Sequence, residues 1–268
     1  MATKRVISLG NGVGRDYATY SAAALSAYVQ NRVANNEYIV IECYNDDNLA
    51  IPCGGDCHVG LGSATCTVTV QPAYTHDFAS ANFAGGTALK YDPALGAAIE
   101  GTASYQVVLK GGQYSYLKFL NMQISNTDGN GKIAYGLFAD SSIENCIVRS
   151  NCGATDSYSA TLINCLIIKT AYLTVGANNL AYTNATNVTT IVPADLTHTG
   201  NLFRYSSNTD LNECASFGGG TAFGGTTGTH NYNASDDVSS PGTTTLDSLV
   251  FADQYENVNN ATLDLRWK

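Results

Sequence analysis

The segment CGGDCHVGLGSATC places Cys53, Cys57, His58 and Cys66 within fourteen residues. Thiolates and imidazoles are the ligand types that bind zinc. The spacing C-x3-C-H-x8-C is not that of a standard finger, and adjacent Cys57 and His58 are awkward ligands for one ion. A local disulfide or a set of buried thiols would use the same residues, so three readings stay open. Carboxylates form the second candidate group. Asp128 lies in NTDG, and paired acids occur at Asp46–Asp47 and Asp236–Asp237. Glycoside hydrolysis needs two carboxyl groups ~5–9.5 Å apart across a groove. Near Asp128 the chain offers only Asp140 and Glu144. The bland reading of NTDG is a polar turn. Tyrosine is abundant, 17 residues against one Trp, and tyrosines can stack sugars or make protein contacts equally well.

Any such group must be positioned by the chain's 268 residues, enough for one large domain with a real core. Apolar residues make up 44% and charged residues 13%, about half the usual ~25%. Few groups are left to solubilise long helices, so short strands and many turns are expected. The net charge is −9 and the basic residues are scattered, which argues against a nucleic-acid partner. No apolar run approaches the ~18–20 residues of a membrane span, so no membrane partner is expected. The opening MATKRVISLG lacks the apolar core of a signal peptide, so general secretory export is not expected. Eight cysteines fit a protein made in the cytosol and later exposed outside the cell.

The one clear helical pattern is YATYSAAALSAYVQNRVA, with Asp16 or Thr19 as its cap. It predicts a helix over about 18–34 with Leu25, Val29 and Val33 facing the first coil. Further on, EYIVIECY, TCTVTVQP, YQVVLKGG and YSYLKFLNMQIS alternate and are rich in β-branched or aromatic residues, as strands are. FLNMQI, IENCIV and LINCLI then repeat one phrase centred on Asn121, Asn145 and Asn164, at spacings of 24 and 19. Apolar residues at −2, +1 and +3 cannot share one face of a straight strand. They can if the chain turns a corner at the Asn, which tolerates the left-handed conformation. Variable spacing around a constant phrase predicts coils of a solenoid, with the three asparagines stacked and Phe119, Ile143 and Leu162 inward. A fourth copy falls at Asn184 or Asn187. A β-sandwich explains the alternation but not the corner phrase.

These pieces resemble the right-handed parallel β-helix, or pectin-lyase-like, superfamily. The corner phrase resembles its Asn turn. GVGRDYATYSAAALSAYV resembles the N-terminal cap of phage and bacterial members, and FADQYENVNNATLDLRWK, with Asp264, Leu265 and Arg266, resembles their closing phrase. The resemblance implies an all-β fold, a right-handed parallel β-helix with an N-terminal capping helix. One structural domain is expected: a cap over 1–40, coils over 41–215, and a polar loop with a C-terminal cap over 216–268.

Lyases of that superfamily use a basic residue as base, often beside calcium. No Arg or Lys here stands in such a motif, and Arg149 suits a solvated edge. Its galacturonan hydrolases carry Gly-His-Gly and Arg-Ile-Lys motifs. Neither is present, and His58, His76, His198 and His230 lack the flanking pattern. The expectation is therefore a non-catalytic structural protein of a tailed-phage virion, a capsid decoration or minor capsid protein. It would be assembled in the host cytoplasm, exposed after lysis, and would need no cofactor. Its partners would be the major capsid protein or other virion proteins, with a homo-oligomer and a glycan both possible. The alternatives are a tail-associated glycan-binding or depolymerising protein and a diverged polysaccharide lyase or hydrolase. No carboxylate pair facing a cleft is expected beside Asp128.

Overall fold

Successive strands never stay in one sheet for long. In the computed structural model, Glu37–Cys43, Ile51–Pro52 and His58–Val59 enter three different sheets, and Val68–Pro72 returns to the first. The cycle then repeats. Among the described residues, the first sheet has nine strands from Thr3–Leu9 to His230–Asn231, the second eight from Ile51–Pro52 to Ala234–Ser235, and the third seven from His58–Val59 to Thr221–Gly225. Every pairing described within these sheets is parallel. The chain is thus all-β in its main body, a solenoid-like stack of parallel strands. The structure describes residues 1–55, 57–73, 90–102, 107–111, 115–127, 132–135, 140–150, 155–156, 160–170, 180–181, 184–194, 196, 201–205, 210–218, 221–225, 230–236, 245–257 and 264–267.

The corner between the first and second sheets is made by the asparagine phrase. Asn121, Asn145, Asn164 and Asn187 adopt φ of 56°, 55°, 52° and 53°. The left-handed residue lets both flanking strands aim apolar side chains at one interior. Phe119, Met122 and Ile124 are all buried, as are Ile143, Cys146 and Val148, and Leu162, Cys165 and Ile167. The amides then link coil to coil. Asn145 Nδ2 donates to Asn121 Oδ1 at 3.0 Å, Asn164 to Asn145 at 3.0 Å, and Asn187 to Asn164 at 2.8 Å. The fourth copy is therefore centred on Asn187, not Asn184. Glu213 and Tyr232 continue the same corner with φ of 56° each.

The cap differs from the single helix that the periodicity predicts. Two short helices, Tyr20–Ala24 and Ala27–Gln30, are separated by Ser26 in an extended conformation. The Thr19 hydroxyl accepts from Ala22 N–H, and the Ser26 hydroxyl from Val29 N–H at 3.4 Å. Serine favours such capping bonds over a helix interior. The break resets the rotation. Tyr20, Ala23, Ala24 and Val29 are buried, whereas Leu25 is 53% and Val33 47% exposed. Of the three inward residues expected, only Val29 is inward. The Tyr20 ring meets Phe119 edge to face at 5.8 Å, joining cap to core.

Arg32 is the least expected core residue, with no exposed surface. Its guanidinium donates to four carbonyls: Cys66 O at 3.0 Å, Val29 O at 2.6 Å, Gly60 O at 2.8 Å and Ser115 O at 2.8 Å. Burial pushes its pKa down to about 10, so it remains a cation at neutral pH. At the other end, Leu246 N–H donates to Asn233 O, and Ser235 N–H to Leu246 O, covering the last strand of the second sheet. Tyr255–Asn257 and Asp264–Trp267 pair antiparallel beyond the stack, and Arg266 of the closing phrase lies in that pair. No helix among the described residues is long and apolar enough to cross a membrane.

Candidate functional site

Residues three and one positions before each corner asparagine point away from the core. In register these are Lys118, Ser142 and Thr161 in one row and Leu120, Glu144 and Ile163 in the next. All of these except Leu120 line the floor of a shallow groove of about 400 Å³, with Tyr116, Asp140 and Thr67 among its walls. Neighbouring strands lie ~4.8 Å apart, so the groove crosses several coils. Ser142 Oγ donates to Glu144 Oε1 at 2.6 Å, which holds that carboxylate over the sheet. Burial pushes the Asp140 carboxyl above its ordinary value, against weaker opposing bonds from its own main chain and Ser141. Asp140 Oδ1 has no hydrogen-bond partner among the described residues. The groove thus combines the Asp140 carboxyl, whose ionisation burial disfavours, a second carboxyl group, a lysine and a tyrosine.

Asp128 lies outside the described residues, and so does the expectation that no carboxylate pair faces a cleft beside it. Asp140 and Glu144, its nearest acidic neighbours in sequence, do share a groove. The signal that identifies their companions is the corner phrase itself. Its inward positions were legible, and the outward positions between them name Lys118, Ser142 and Glu144.

The cysteine and histidine candidates separate into three places. Cys53 follows Ile51–Pro52 and Cys57 precedes His58–Val59, and their sulfurs lie 2.6 Å apart. His58 is exposed. Cys66 is buried in a turn where its N–H donates to the Ser63 hydroxyl at 3.1 Å. No group of three or more His, Cys, Asp or Glu among the described residues converges to hold a metal ion. The corner thiols serve packing. Cys146, Cys165 and Cys214 are buried, and each sulfur approaches the carbonyl two residues earlier at 3.2, 3.2 and 3.3 Å. Burial pushes Cys165 and Cys214 up to about 12 and Cys146 also upward, which keeps these thiols protonated.

Arg149 is not a solvated edge. Its guanidinium pairs with Glu100 at 2.8 Å, donates to Ser125 Oγ at 3.0 Å and lies 4.2 Å from the Tyr91 ring centre. These contacts span three adjacent strands of the second sheet.

The N-terminal end of the stack presents a different surface. Thr3–Leu9 is the outermost strand of the first sheet. Asp16 covers its far half: Ser8 N–H donates to Asp16 Oδ2 at 2.7 Å, and Ser8 O accepts from Asp16 and Tyr17 N–H. The Ser8 N–H and the Ser8 hydroxyl, which also donates to Asp16 Oδ2 at 2.9 Å, hold the Asp16 carboxyl below its ordinary value. On this strand, Arg5 pairs with Glu37 at 2.8 Å and lies over the Tyr28 ring at 4.4 Å. Val6, Leu25, Tyr28, Val33 and Leu61 are all between 45% and 67% exposed. Val33 and Leu61 line a hollow of about 580 Å³ between the second cap helix and the 60–62 loop.

No family model, curated protein or solved structure matches this chain. Its function rests on its own surfaces.

Proposed function

We propose that this chain is a right-handed parallel β-helix serving as a structural, non-catalytic protein of a tailed-phage virion. Its place is the head surface, as a decoration or minor capsid protein bound to the major capsid protein. It assembles in the host cytoplasm and meets the medium after lysis. The observation that carries the reading is the N-terminal end, where exposed apolar residues lie beside an outermost strand. Exposed apolar clusters and outer strands are contact surfaces. The parallel stack supports the role physically, because continuous strand pairing gives a rigid body with a fixed outer face.

The test is quantitative mass spectrometry of purified particles, with head and tail fractions separated. Many copies per head, comparable with the capsid subunit, is the expected result. Absence from particles, or a few copies confined to tails, would overturn the assignment.

A second reading is favoured by one specific feature, the Tyr116–Lys118–Asp140–Glu144 groove. A tyrosine face with carboxyl and ammonium groups can bind a saccharide through stacking and hydrogen bonds. Under that reading the protein is a tail-associated glycan binder or depolymerase. Incubation with bacterial surface polysaccharides and uronic-acid polymers separates binding from cleavage, because only cleavage creates new reducing ends. Loss of binding in Tyr116→Ala would support this reading, and no binding to any glycan would remove it.

A further inference from the structure

We infer that Cys53 and Cys57 form an oxidative modification site: a small-molecule disulfide converts them to an intramolecular disulfide that locks the N-terminal cap onto the stack. The inference is independent of where the protein works. The two sulfurs lie 2.6 Å apart. Even carbon atoms, smaller than sulfur, prefer ~3.5–4.0 Å when not bonded, and a disulfide bond measures ~2.05 Å. A short inward shift separates the pair from bonding distance.

The turn between them fits this use. Gly54 adopts φ of +82°, a conformation that side-chain-bearing residues avoid. A Cβ there would also stand 2.8 Å from Thr19 Cβ, so the turn lies tightly under the first cap helix. Both main-chain groups of Cys53 are tied. Its N–H donates to Glu100 O at 2.8 Å, and its carbonyl accepts from Ser21 N–H at 2.8 Å. The first bond holds the second sheet and the second holds the cap. Linking Cys53 to Cys57, which leads into the third sheet, joins all three. Both sulfurs also approach the same carbonyl, Gly55 O, at 3.2 Å each.

The other described pairs are built differently. Cys146 and Cys165 occupy the same position in adjacent coils, but each sulfur is directed at its own carbonyl. Among the described cysteines, only Cys53 and Cys57 bring their sulfurs into contact with each other.

The chemistry balances with oxidised glutathione as oxidant. One Cys thiolate attacks its disulfide and releases one molecule of reduced glutathione, leaving a mixed disulfide. The second Cys thiolate then displaces the other glutathione. Two electrons pass to the oxidant, and the two thiol protons go to solvent and the released thiolates. Both cysteines are fully buried, so exchange passes through a state in which the cap has lifted.

The test begins with the intact chain purified under reducing conditions and exposed to excess oxidised glutathione. Acid quenching, alkylation under denaturing conditions and peptide mapping follow. The expected product is a peptide joining residues 53 and 57, two hydrogens lighter than its reduced form, with Cys146, Cys165 and Cys214 still alkylated. Thr19→Ala removes the hydroxyl that caps the first helix and is expected to speed bond formation about fivefold, the effect of one lost cap on the lifted population. Oxidation is expected to raise the melting temperature by a few degrees, and Cys57→Ser to abolish the rise. Full alkylation of both cysteines after prolonged oxidation, in wild type and Thr19→Ala alike, would overturn the inference. So would pairing of either residue with Cys43 or Cys66.

Discussion

At the residue scale, most of the corner's cost and benefit lies in one backbone angle. Asparagine accepts the left-handed conformation, and its amide bonds to the next coil. Glu213 and Tyr232 adopt the same angle without that advantage. Other L-residues pay ~1–2 kcal/mol there. Glu213→Asn is therefore expected to stabilise by about 1 kcal/mol, read as a higher urea midpoint. Asn145→Ala loses both rungs of its amide ladder and the tolerant side chain together, and is expected to cost about 2 kcal/mol. Arg32 obeys a harsher rule. Three of its four carbonyl acceptors are buried with it and the fourth, Gly60 O, is partly buried, so Arg32→Leu removes the donor from all four. A loss of about 3–5 kcal/mol is expected, with faster hydrogen exchange around 60–66 as its local sign. Asp140 gives a pH signature. Its folded pKa is raised, so the native state resists its ionisation. Its contribution to stability falls as pH rises from the unfolded value, ~3.9, through the raised folded value, and is flat above it. Asp140→Asn is expected to remove that slope and to melt higher than wild type at neutral pH, as calorimetry across the window would read.

At the element scale, the strands were legible and the cap was only partly so. The corner phrase works because its signal is stereochemical: three inward positions that no straight strand can supply. That is why Asn121, Asn145 and Asn164 stack as expected, and why the fourth corner needed the structure to choose Asn187. The cap misled because its i, i+3, i+4 pattern assumes unbroken rotation. Ser26 interrupts the rotation with a capping bond, and Leu25 and Val33 turn outward. The two cap positions now predict opposite outcomes. Leu25→Asp is expected to leave melting unchanged, because the side chain is already in water. Val29→Asp buries an unpaired charge and is expected to unfold the cap. The groove was harder to read for a related reason. Outward residues carry no periodic constraint of their own, so Lys118 and Glu144 look like any polar strand residue until the register places them diagonally, two positions apart on neighbouring strands. Arg32 falls on the helical stripe with Leu25, Tyr28, Val29 and Val33, but its acceptors are main-chain carbonyls that no sequence pattern records.

At the scale of the whole molecule, a stack of parallel strands has two ends, and the ends decide what it joins. The C-terminal end is covered where Leu246 pairs with the last strand of the second sheet. The N-terminal end is covered by Asp16 and Tyr17 over Ser8, while Val6, the cap residues Leu25, Tyr28 and Val33, and Leu61 of the 60–62 loop face outward. Burying a Leu or Val side chain contributes roughly 1.5–3 kcal/mol, so a partner seated on Val33 and Leu61 gains much of its affinity from those two. The double variant Val33→Asp, Leu61→Asp places both charges on an exposed surface, and its melting temperature is expected to match wild type. Under the proposed head-surface role, its binding to phage heads stripped of this protein is expected to fall at least a hundredfold, from two lost apolar contacts at the centre of the contact. The control is Tyr116→Ala in the groove, which is expected to bind heads normally. The reverse pattern, full binding by the double variant and loss by Tyr116→Ala, would move the working surface from the end of the stack to its side. The glycan reading would then replace the assembly reading.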